Sequence, residues 1–473
     1  MKWLFESEVE DLKIIFRDTG FILIALGLLA ALPSLVSFIY GEFILTGVFL
    51  FTSALFIGLG LFFETTIKEK KKGSNKHAIM SVALTWVIAI FLGSVPFLLI
   101  MSPLDALFES TAGFTTTGFT MMRNVLEVEK GILFWRSLEP FMGGCLFVIS
   151  FLSLSKAFEA DAEVGFKERT KELSSKVLKV YFSFALIGVL LFLLAGTSIF
   201  EAFSYSLSSI SNGGFSVNGS LGAINNQRAV VVALLLNIIG ALNVLLIFKV
   251  LEGDSSEVLK NAEIFGGVLL ISFGVLATRF TGGDFLIEMY HFLSALTTSG
   301  YMIIDTPKSV MWSEFYKAVL IFTMLIGGSV YSTAGGLKIH RIVILIKSLY
   351  WRIKSLLPDG GVVTRKIHNI ENLTLSDEDI LRVYTFVGFF ILIFGFAGLF
   401  GSSYGYPVLD SFFESTSALS NVGLSTGIVS PVMPLGLKVL FIVLMLVGRL
   451  EVTAFMGLLF YFSSKLRAVS IGR

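Results

Sequence analysis

The chain has 473 residues and a formal net charge of +1; 55% of the residues are hydrophobic and only 15% are charged. Soluble domains have about a quarter of their residues charged, so a mean hydropathy of +0.83 indicates that lipid is part of the solvent. The small net charge argues against a nucleic-acid partner. The single cysteine, Cys145, excludes a disulfide within the chain, and the four histidines have no catalytic or metal-ligand spacing, so an enzyme is not expected.

Long apolar runs recur along the chain, and about 20 apolar residues are enough to cross a bilayer as a helix. They predict ten membrane segments, near residues 20–40, 43–63, 78–101, 131–153, 177–199, 228–250, 263–281, 310–349, 380–401 and 434–462. The segment at 310–349 is predicted to be broken. Ser376 and Asp379 resemble a capping box, which marks the beginning of the segment at 380–401.

Basic residues cluster on alternate connections between these segments, at 68–76, 167–179, 347–366 and 465–473. Because lysine and arginine favour cytoplasmic loops, this pattern predicts a multi-pass protein of the cell membrane with both termini in the cytoplasm.

The connections on the opposite side are shorter, less charged and rich in Ser, Thr, Gly and Asn. They span residues 103–120, 200–217, 284–303 and 407–427. Each begins with about a dozen mainly apolar residues, too few to cross a bilayer, and ends in polar residues and a glycine. This layout predicts four half-helices that enter the membrane and return as extended loops. Extended backbone is tolerated at that depth only where protein buries it or water lines it.

The four stretches align on their glycines, and in each copy thirteen positions separate the starting residue from the glycine. Three copies start with an acid, and the remaining copy has its acid one place later, which suits a helix N-terminus. In chain order these acids are Asp105, Glu201, Glu288 and Asp410. Two polar residues precede each glycine by two and three positions.

This repeat predicts a pseudo-fourfold cation pore within one chain. Backbone carbonyls in an extended loop can replace the hydration shell of a cation, and glycine permits the φ angles that aim them. The predicted filter residues are Thr115, Thr116, Thr117, Gly118, Ser211, Asn212, Gly213, Gly214, Thr297, Thr298, Ser299, Gly300, Ser420, Asn421, Val422 and Gly423. Glu109 and Glu414 occupy equivalent places and are expected to support the filter strands. The alternative is four ordinary loops with turn glycines.

Two further features are candidates for a gate. The segment at 310–349 contains small residues that a helix interior disfavours, namely Gly327, Gly328, Ser332, Thr333, Gly335 and Gly336. We expect a mobile loop that blocks the pore; the alternative is close helix packing through small residues. Arg449 lies in an apolar segment, where a charge normally faces a polar interior. We expect it to face the conduction path; the alternative is a salt bridge to Glu451 or Glu414.

Other polar residues in the segments have simpler predicted roles. Arg136 and Glu139 are three apart on a helix and are expected to pair. Asn237 and Asn243 are expected to make hydrogen bonds between helices. Lys338 and Arg341 follow the small-residue break and are candidates for contact with lipid headgroups or a partner.

Several motifs resemble the Trk/Ktr/HKT superfamily of potassium transporters, and the likeness extends over essentially the whole chain. FESTAGFTTTGFT at 108–120 resembles its first filter and SSISNGGFS at 208–216 its second; GGSVYSTAGGLKIHR at 327–341 resembles its interrupted third inner helix and VGRLEV at 447–452 its fourth. The two segments before residue 64 match the TrkH branch. Tyr331 departs from the small-residue run that is usual before Thr333.

The resemblance implies an all-α integral membrane protein with four repeats, each an outer helix, a pore helix and an inner helix, plus two extra N-terminal helices. The predicted division is 1–76 for the N-terminal helices, then 77–156, 157–253, 254–356 and 357–473 for the repeats. It also implies a homodimer and a cytoplasmic ring of RCK-type nucleotide-binding subunits. The nucleotide would then belong to that partner, and no organic cofactor is expected in this chain.

In the superfamily a serine at the first filter position accompanies sodium preference, and here that position is Gly118. The resemblance therefore implies a K⁺-selective, channel-like uptake subunit that also conducts Rb⁺. The alternatives are a Na⁺ or mixed-cation transporter, and K⁺ symport coupled to Na⁺ or H⁺.

Overall fold

The structure is a computed structural model that describes residues 2–66, 75–159, 166–254, 256–304, 312–356, 366–367 and 373–450. Glu451 and the end of the predicted segment at 434–462 lie outside these residues. The described chain is helical apart from one short antiparallel pair, in which Lys366–Ile367 (β1) pairs with Leu373–Thr374 (β2).

Three helices precede the repeats: α1 (Lys2–Ala30), α2 (Leu32–Ile39) and α3 (Phe43–Thr66). α1 and α3 cross closely because glycines meet at the crossing, where a Cβ at Gly20 would lie 2.7 Å from the carbonyl oxygen of Gly60. Small residues of this kind let membrane helices approach. The charged N-terminal stretch is continuous with the first apolar segment in one helix.

The rest of the chain repeats the order outer helix, pore helix, inner helix. The first repeat has α4 (Asn75–Gly93), α5 (Pro103–Phe114) and α6 (Lys130–Glu159). The second has α7 (Phe166–Leu194), α8 (Ile199–Ile210), α9 (Gln227–Ala241) and α10 (Val244–Leu251), followed by α11 (Ser256–Lys260). The third has α12 (Ala262–Arg279), α13 (Phe285–Leu296), α14 (Glu314–Ile326) and α15 (Ile339–Ser355). The fourth has α16 (Asp377–Ser402), α17 (Val408–Leu419) and α18 (Leu435–Leu450).

Within the described residues, seven helices are long and apolar enough to cross a membrane, or eight if α9 and α10 form one bent span. This is fewer than the ten predicted segments, because α14, α15 and the described part of α18 are each shorter than 18 residues. The apolar stretch of the first inner helix, α6, is wholly buried by protein.

The predicted break in the segment at 310–349 is confirmed, since α14 ends at Ile326 and α15 begins at Ile339. The predicted capping box is also confirmed: the Ser376 hydroxyl accepts from the backbone N–H of Asp379, whose carboxylate accepts from the N–H of Ser376.

The segment predicted at 228–250 is present but bent. The chain bends by 99° between α9 and α10. Leu242 is extended, with φ −79° and ψ 153°, and the Asn243 side chain accepts from the backbone N–H of Leu245, 2.9 Å away, to begin α10. Asparagine is a strong N-cap, so it begins a new helix inside an otherwise apolar run.

Candidate cation pathway

The four pore helices have the same length and the same relation to the four glycines. Each is 12 residues long and ends four positions before its glycine, at Phe114, Ile210, Leu296 and Leu419. The acids predicted to start them all lie in first turns. In the third copy, Asp284 additionally accepts from the N–H groups of Leu286 and Ile287 as N-cap.

The strand after each pore helix has the same backbone conformation in all four copies. Gly118, Gly214, Gly300 and Gly423 have φ of +79°, +68°, +68° and +95°. Two positions earlier, Thr116, Asn212, Thr298 and Asn421 have φ of +57°, +54°, +55° and +51°. This left-handed region is uncommon for residues other than glycine. Four copies of one unusual pattern indicate that the strands share a single structural role.

The four glycines pack against one another in a closed ring. A Cβ at Gly118 would lie 2.5 Å from the carbonyl oxygen of Gly213, the residue before the next filter glycine. The same overlap connects the other copies in order, Gly214 with Ser299, Gly300 with Val422 and Gly423 with Thr117. Each strand therefore lies against its neighbour with no room for a side chain. All four glycines also line one cavity of about 370 Å³, together with residues that follow them in each strand.

The eleven non-glycine residues of the predicted filter are buried, and side chains connect the strands to one another and to the inner helices. The Asn421 amide donates to the Thr117 hydroxyl at 3.1 Å and to the Met445 carbonyl at 2.8 Å. Asn237, in the inner helix of the second repeat, donates to the Ser299 hydroxyl in the filter strand of the third repeat at 3.1 Å.

A buried side chain nine positions before each glycine contacts the strand just after that glycine. The Glu109 carboxylate accepts from the N–H of Met121 at 2.7 Å, and the Glu414 carboxylate accepts from the N–H of Thr426 at 2.8 Å. Tyr205 and His291 hold the same position in the second and third copies. The Tyr205 hydroxyl is 2.9 Å from that of Ser216, and the His291 Nε2 accepts from the N–H of Ile303 at 3.3 Å.

Sequence reasoning found Glu109 and Glu414 and missed Tyr205 and His291. The offset of nine residues before the glycine was the available signal. This signal was hard to see because the position is Glu in two copies but Tyr and His in the other two, although the side chain makes the same contact in all four.

The expected pair between Arg136 and Glu139 is wrong. Arg136 Nε donates to the Glu109 carboxylate at 2.8 Å, and both side chains are almost fully buried. Glu139 instead accepts from the Ser110 hydroxyl at 2.9 Å. A carboxylate on a neighbouring helix therefore takes the place of the partner that helical spacing suggests.

The segment between α14 and α15, residues 327–338, lies against the filter strands and is called the intramembrane loop below. It contains all six of the small residues predicted for a gate. Thr333 lies 3.0 Å from the Asn212 amide, and the N–H of Gly335 donates to the Thr298 hydroxyl at 2.7 Å. A Cβ at Gly335 would also overlap the carbonyl of Ser420. The loop thus touches three of the four strands, at residues that precede the filter glycines. The cavity lies on the other side of these glycines, because it is lined by the glycines and by residues that follow them.

The intramembrane loop folds back on itself and onto the bend in the second repeat. Gly327 packs on Gly335 and Gly336, Gly328 packs on Ala334, and the Ser332 hydroxyl donates to the Ser329 carbonyl at 2.5 Å. The carbonyls of Gly240 and Ala241 accept from the N–H groups of Thr333 and Ser329 at 3.1 and 3.0 Å, and the N–H of Val244 donates to the Tyr331 carbonyl at 3.1 Å. The loop therefore provides hydrogen-bond partners for backbone groups at the bend.

Arg449 is 1% exposed and reaches the same loop from α18. Its Nη1 donates to the Thr333 carbonyl at 2.8 Å, and its guanidinium lies 4.3 Å from the centre of the Phe147 ring. Its Nε and Nη2 have no hydrogen-bond partner among the residues the structure describes. Glu414, one predicted partner, instead accepts from Ser425, Thr426 and Ile428; Glu451, the other, lies outside the described residues.

Lys338 does not take the exposed position that its predicted lipid or partner contact requires. It is 2% exposed, and its Nζ donates to the Ala334 carbonyl within the intramembrane loop. It also lies 5.1 Å from the centre of the Phe147 ring, so two cationic side chains, Lys338 and Arg449, share that ring.

These features define a class of protein, a multi-pass membrane protein whose four pore-helix repeats enclose one ring of filter-like strands. The sequence matches the profile of the TrkH family, described as cation transport proteins, over residues 48–264 and 275–461. The chain belongs to this family. The resemblance that the sequence motifs suggested is therefore confirmed.

Individual relatives match over nearly their whole length. The chain is 28% identical to an uncharacterized cation transporter of Methanocaldococcus jannaschii, with 94% of each chain covered. It is 27% identical to the Trk system potassium uptake protein TrkH of Vibrio parahaemolyticus, covering 94% of this chain and 98% of that one. It is 26% identical to the Trk system potassium uptake protein TrkG of Escherichia coli, covering 93% and 96%.

The crystal structure of the potassium transporter TrkH from Vibrio parahaemolyticus superposes with a TM-score of 0.84 at 25% identity, covering 95% of this chain and 98% of that one. The predicted fold class, an all-α membrane protein, is thereby confirmed.

Proposed function

We propose that this protein is the K⁺-selective, channel-like membrane subunit of a Trk-type uptake system and that it also conducts Rb⁺. The observation that carries the proposal is the closed ring of four glycines, each set against the carbonyl that precedes the next glycine. A ring of backbone carbonyls can replace the hydration shell of a monovalent cation. The relatives that carry the names TrkH and TrkG are potassium uptake proteins, which favours K⁺ over other monovalent cations.

In this proposal the sixteen predicted filter residues supply carbonyl oxygens along the path, and K⁺ is the transported ion. The C-terminal ends of the four pore helices meet at the strands, where their partial negative charge favours a cation. Glu109, Tyr205, His291 and Glu414 hold the strands after the glycines and do not contact the ion. Their hydrogen bonds to those strands support this assignment.

The intramembrane loop and Arg449 form the gate in this proposal. The loop contacts strand residues on the side opposite the cavity that the glycines line, so in its present position it obstructs the path from that side. Arg449 adds a positive charge next to the loop, which raises the energy of a cation in the path. Opening therefore requires the loop to move away from the Asn212, Thr298 and Ser420 strands.

The assembly belongs to the same proposal. We propose a homodimer in the cell membrane with both termini in the cytoplasm, in contact with a ring of RCK-type nucleotide-binding subunits. The clusters of basic residues on alternate connections support that orientation. The regulatory nucleotide then binds the ring, and membrane lipid is the other partner of this chain.

The test is uptake of radiolabelled Rb⁺ into liposomes that contain the purified protein, with K⁺, Na⁺ or Li⁺ as competitor. We expect K⁺ to compete strongly and Na⁺ and Li⁺ to compete weakly. Equal competition by Na⁺ would contradict K⁺ selectivity and favour a mixed-cation pathway. Uptake that requires a Na⁺ or proton gradient would instead favour symport.

A further inference from the structure

A buried carboxylate, that of Glu263, lies next to the intramembrane loop and outside the filter. Glu263 is the second residue of α12 and is 2% exposed. Asn261 caps this helix and accepts from the N–H of Glu263 at 2.9 Å. A buried carboxylate is costly unless other groups satisfy its oxygens, so the identity of its partners is informative.

Two of its partners are consecutive residues of the intramembrane loop. One carboxylate oxygen of Glu263 accepts from the N–H of Val330 at 3.2 Å, and the Ser329 side chain is close enough to interact with the same carboxylate. The side chain of Asn243, the residue that caps α10 just after the bend, is also close enough to interact with this carboxylate. One side chain of α12 therefore contacts both the loop and the bend.

Cationic and polar groups from the far end of the loop face the same carboxylate. The Lys338 ammonium is close enough to interact with it electrostatically, and His340 Nδ1 lies 3.9 Å from it. Lys338 also donates to the Ala334 carbonyl, so the cation that faces the carboxylate is itself bonded within the loop.

We propose that Glu263 is a latch, a positioning residue that keeps the intramembrane loop against the filter strands and makes it move together with the bend between α9 and α10. This inference rests on the proposed role of the loop as a gate. Three backbone hydrogen bonds already join the loop to the bend, and the carboxylate adds a hydrogen bond to the loop at Val330 and an interaction with Asn243 at the bend. When the loop leaves the strands, the carboxylate loses its Val330 donor and its interaction with Ser329 inside the protein, where an unsatisfied charge is most costly.

The test measures radiolabelled Rb⁺ uptake into liposomes by the full-length protein and its Glu263→Gln variant. Glutamine keeps the size of the side chain and removes its charge. The glutamine amide can still accept from the N–H of Val330, but a hydrogen bond to a neutral acceptor is weaker than one to a charged acceptor by about tenfold in the equilibrium constant, so we expect initial uptake to rise by about tenfold. The ratio of K⁺ to Na⁺ competition should stay at the wild-type value, because Glu263 does not contact the filter.

Two further variants separate a latch from a general structural role. Glu252→Gln neutralises an exposed carboxylate just after α10 and should leave uptake unchanged. Ser329→Ala removes an interaction of the latch that is weaker than its hydrogen bond from Val330, and it should raise uptake by about threefold. It should add little in the Glu263→Gln background, because both changes break the same contact. If Glu263→Gln does not fold, Ser329→Ala alone decides the outcome.

Unchanged or lower uptake by folded Glu263→Gln or Ser329→Ala would overturn the latch, as would full additivity of the two. A change in competition by Na⁺ would also overturn it, since it would place Glu263 in the filter. A wild-type protein without K⁺-selective uptake would overturn the proposed function instead, so the two failures are distinguishable.

Discussion

The first and fourth repeats hold their filter strands differently from the second and third. In the first and fourth, a carboxylate (Glu109 or Glu414) makes several hydrogen bonds to the strand after the glycine, and the inner helices α6 and α18 are unbroken as far as the structure describes them. In the second and third, neutral groups on Tyr205 and His291 make single bonds to that strand, and both inner helices are interrupted.

With the proposed gate, the difference separates a firm half of the pore, the first and fourth repeats, from a moving half, the second and third. The two interruptions adjoin each other, because the intramembrane loop of the third repeat binds the bend of the second. Charge-assisted hydrogen bonds are stronger than neutral ones, so the firm half can fix the filter geometry while the other half rearranges. The glycine ring is common to both halves.

The largest expected effect compares the supports of the two halves directly. Glu109→Gln leaves the Arg136 charge buried without its partner, which costs about 3–5 kcal/mol. Tyr205→Phe removes one neutral hydrogen bond and should cost about 1 kcal/mol. Apparent melting temperatures in detergent should therefore fall far more for Glu109→Gln than for Tyr205→Phe.

The double variant Glu109→Gln, Arg136→Gln is the control for this comparison. It removes the unpaired charge and should recover much of the lost stability. Equal melting temperatures for Glu109→Gln and Tyr205→Phe would mean that the two halves are supported equally, and the distinction between them would fail.

The glycine ring gives the next largest effect, and here we expect the two halves to behave alike. Gly118→Ala and Gly214→Ala each place a Cβ against the carbonyl of a neighbouring strand at a positive φ. The left-handed conformation and the overlap together cost about 3 kcal/mol. We expect Rb⁺ uptake into liposomes to fall by about 100-fold for both.

Gly405→Ala is a matched control for these variants. Gly405 also has a positive φ, of +89°, but nothing lies within 4 Å of its Cβ position, so uptake should stay near the wild-type value. If Gly214→Ala kept substantial uptake while Gly118→Ala lost it, the second filter strand would be able to shift and make room for the added Cβ. The two halves would then differ in the glycine ring as well as in their supports.

Much of this arrangement follows from the sequence because it is repeated. The glycines, the pore helices and the acids of their first turns recur at fixed spacing, so each copy supports the interpretation of the others. Tyr205 and His291 were missed because a conserved contact is made there by different chemistry. The bend before Asn243 lies within an apolar run, and the partner of Arg136 is on another helix, so neither could be inferred from local spacing.

The smallest expected effect concerns the contact between the two halves, where Arg449 of the firm half donates to the Thr333 carbonyl of the intramembrane loop. Two unit charges about 10 Å apart interact by about 1–2 kcal/mol at an effective dielectric constant of about 20, and we expect removal of the Arg449 charge to lower the barrier by an energy of this order. Arg449→Ala should therefore raise Rb⁺ uptake by roughly tenfold, whereas Arg449→Lys, which keeps the charge, should change it much less. A fall in uptake together with loss of folded protein would show that Arg449 has a structural role. Its contact with the loop would then not be evidence for a gate.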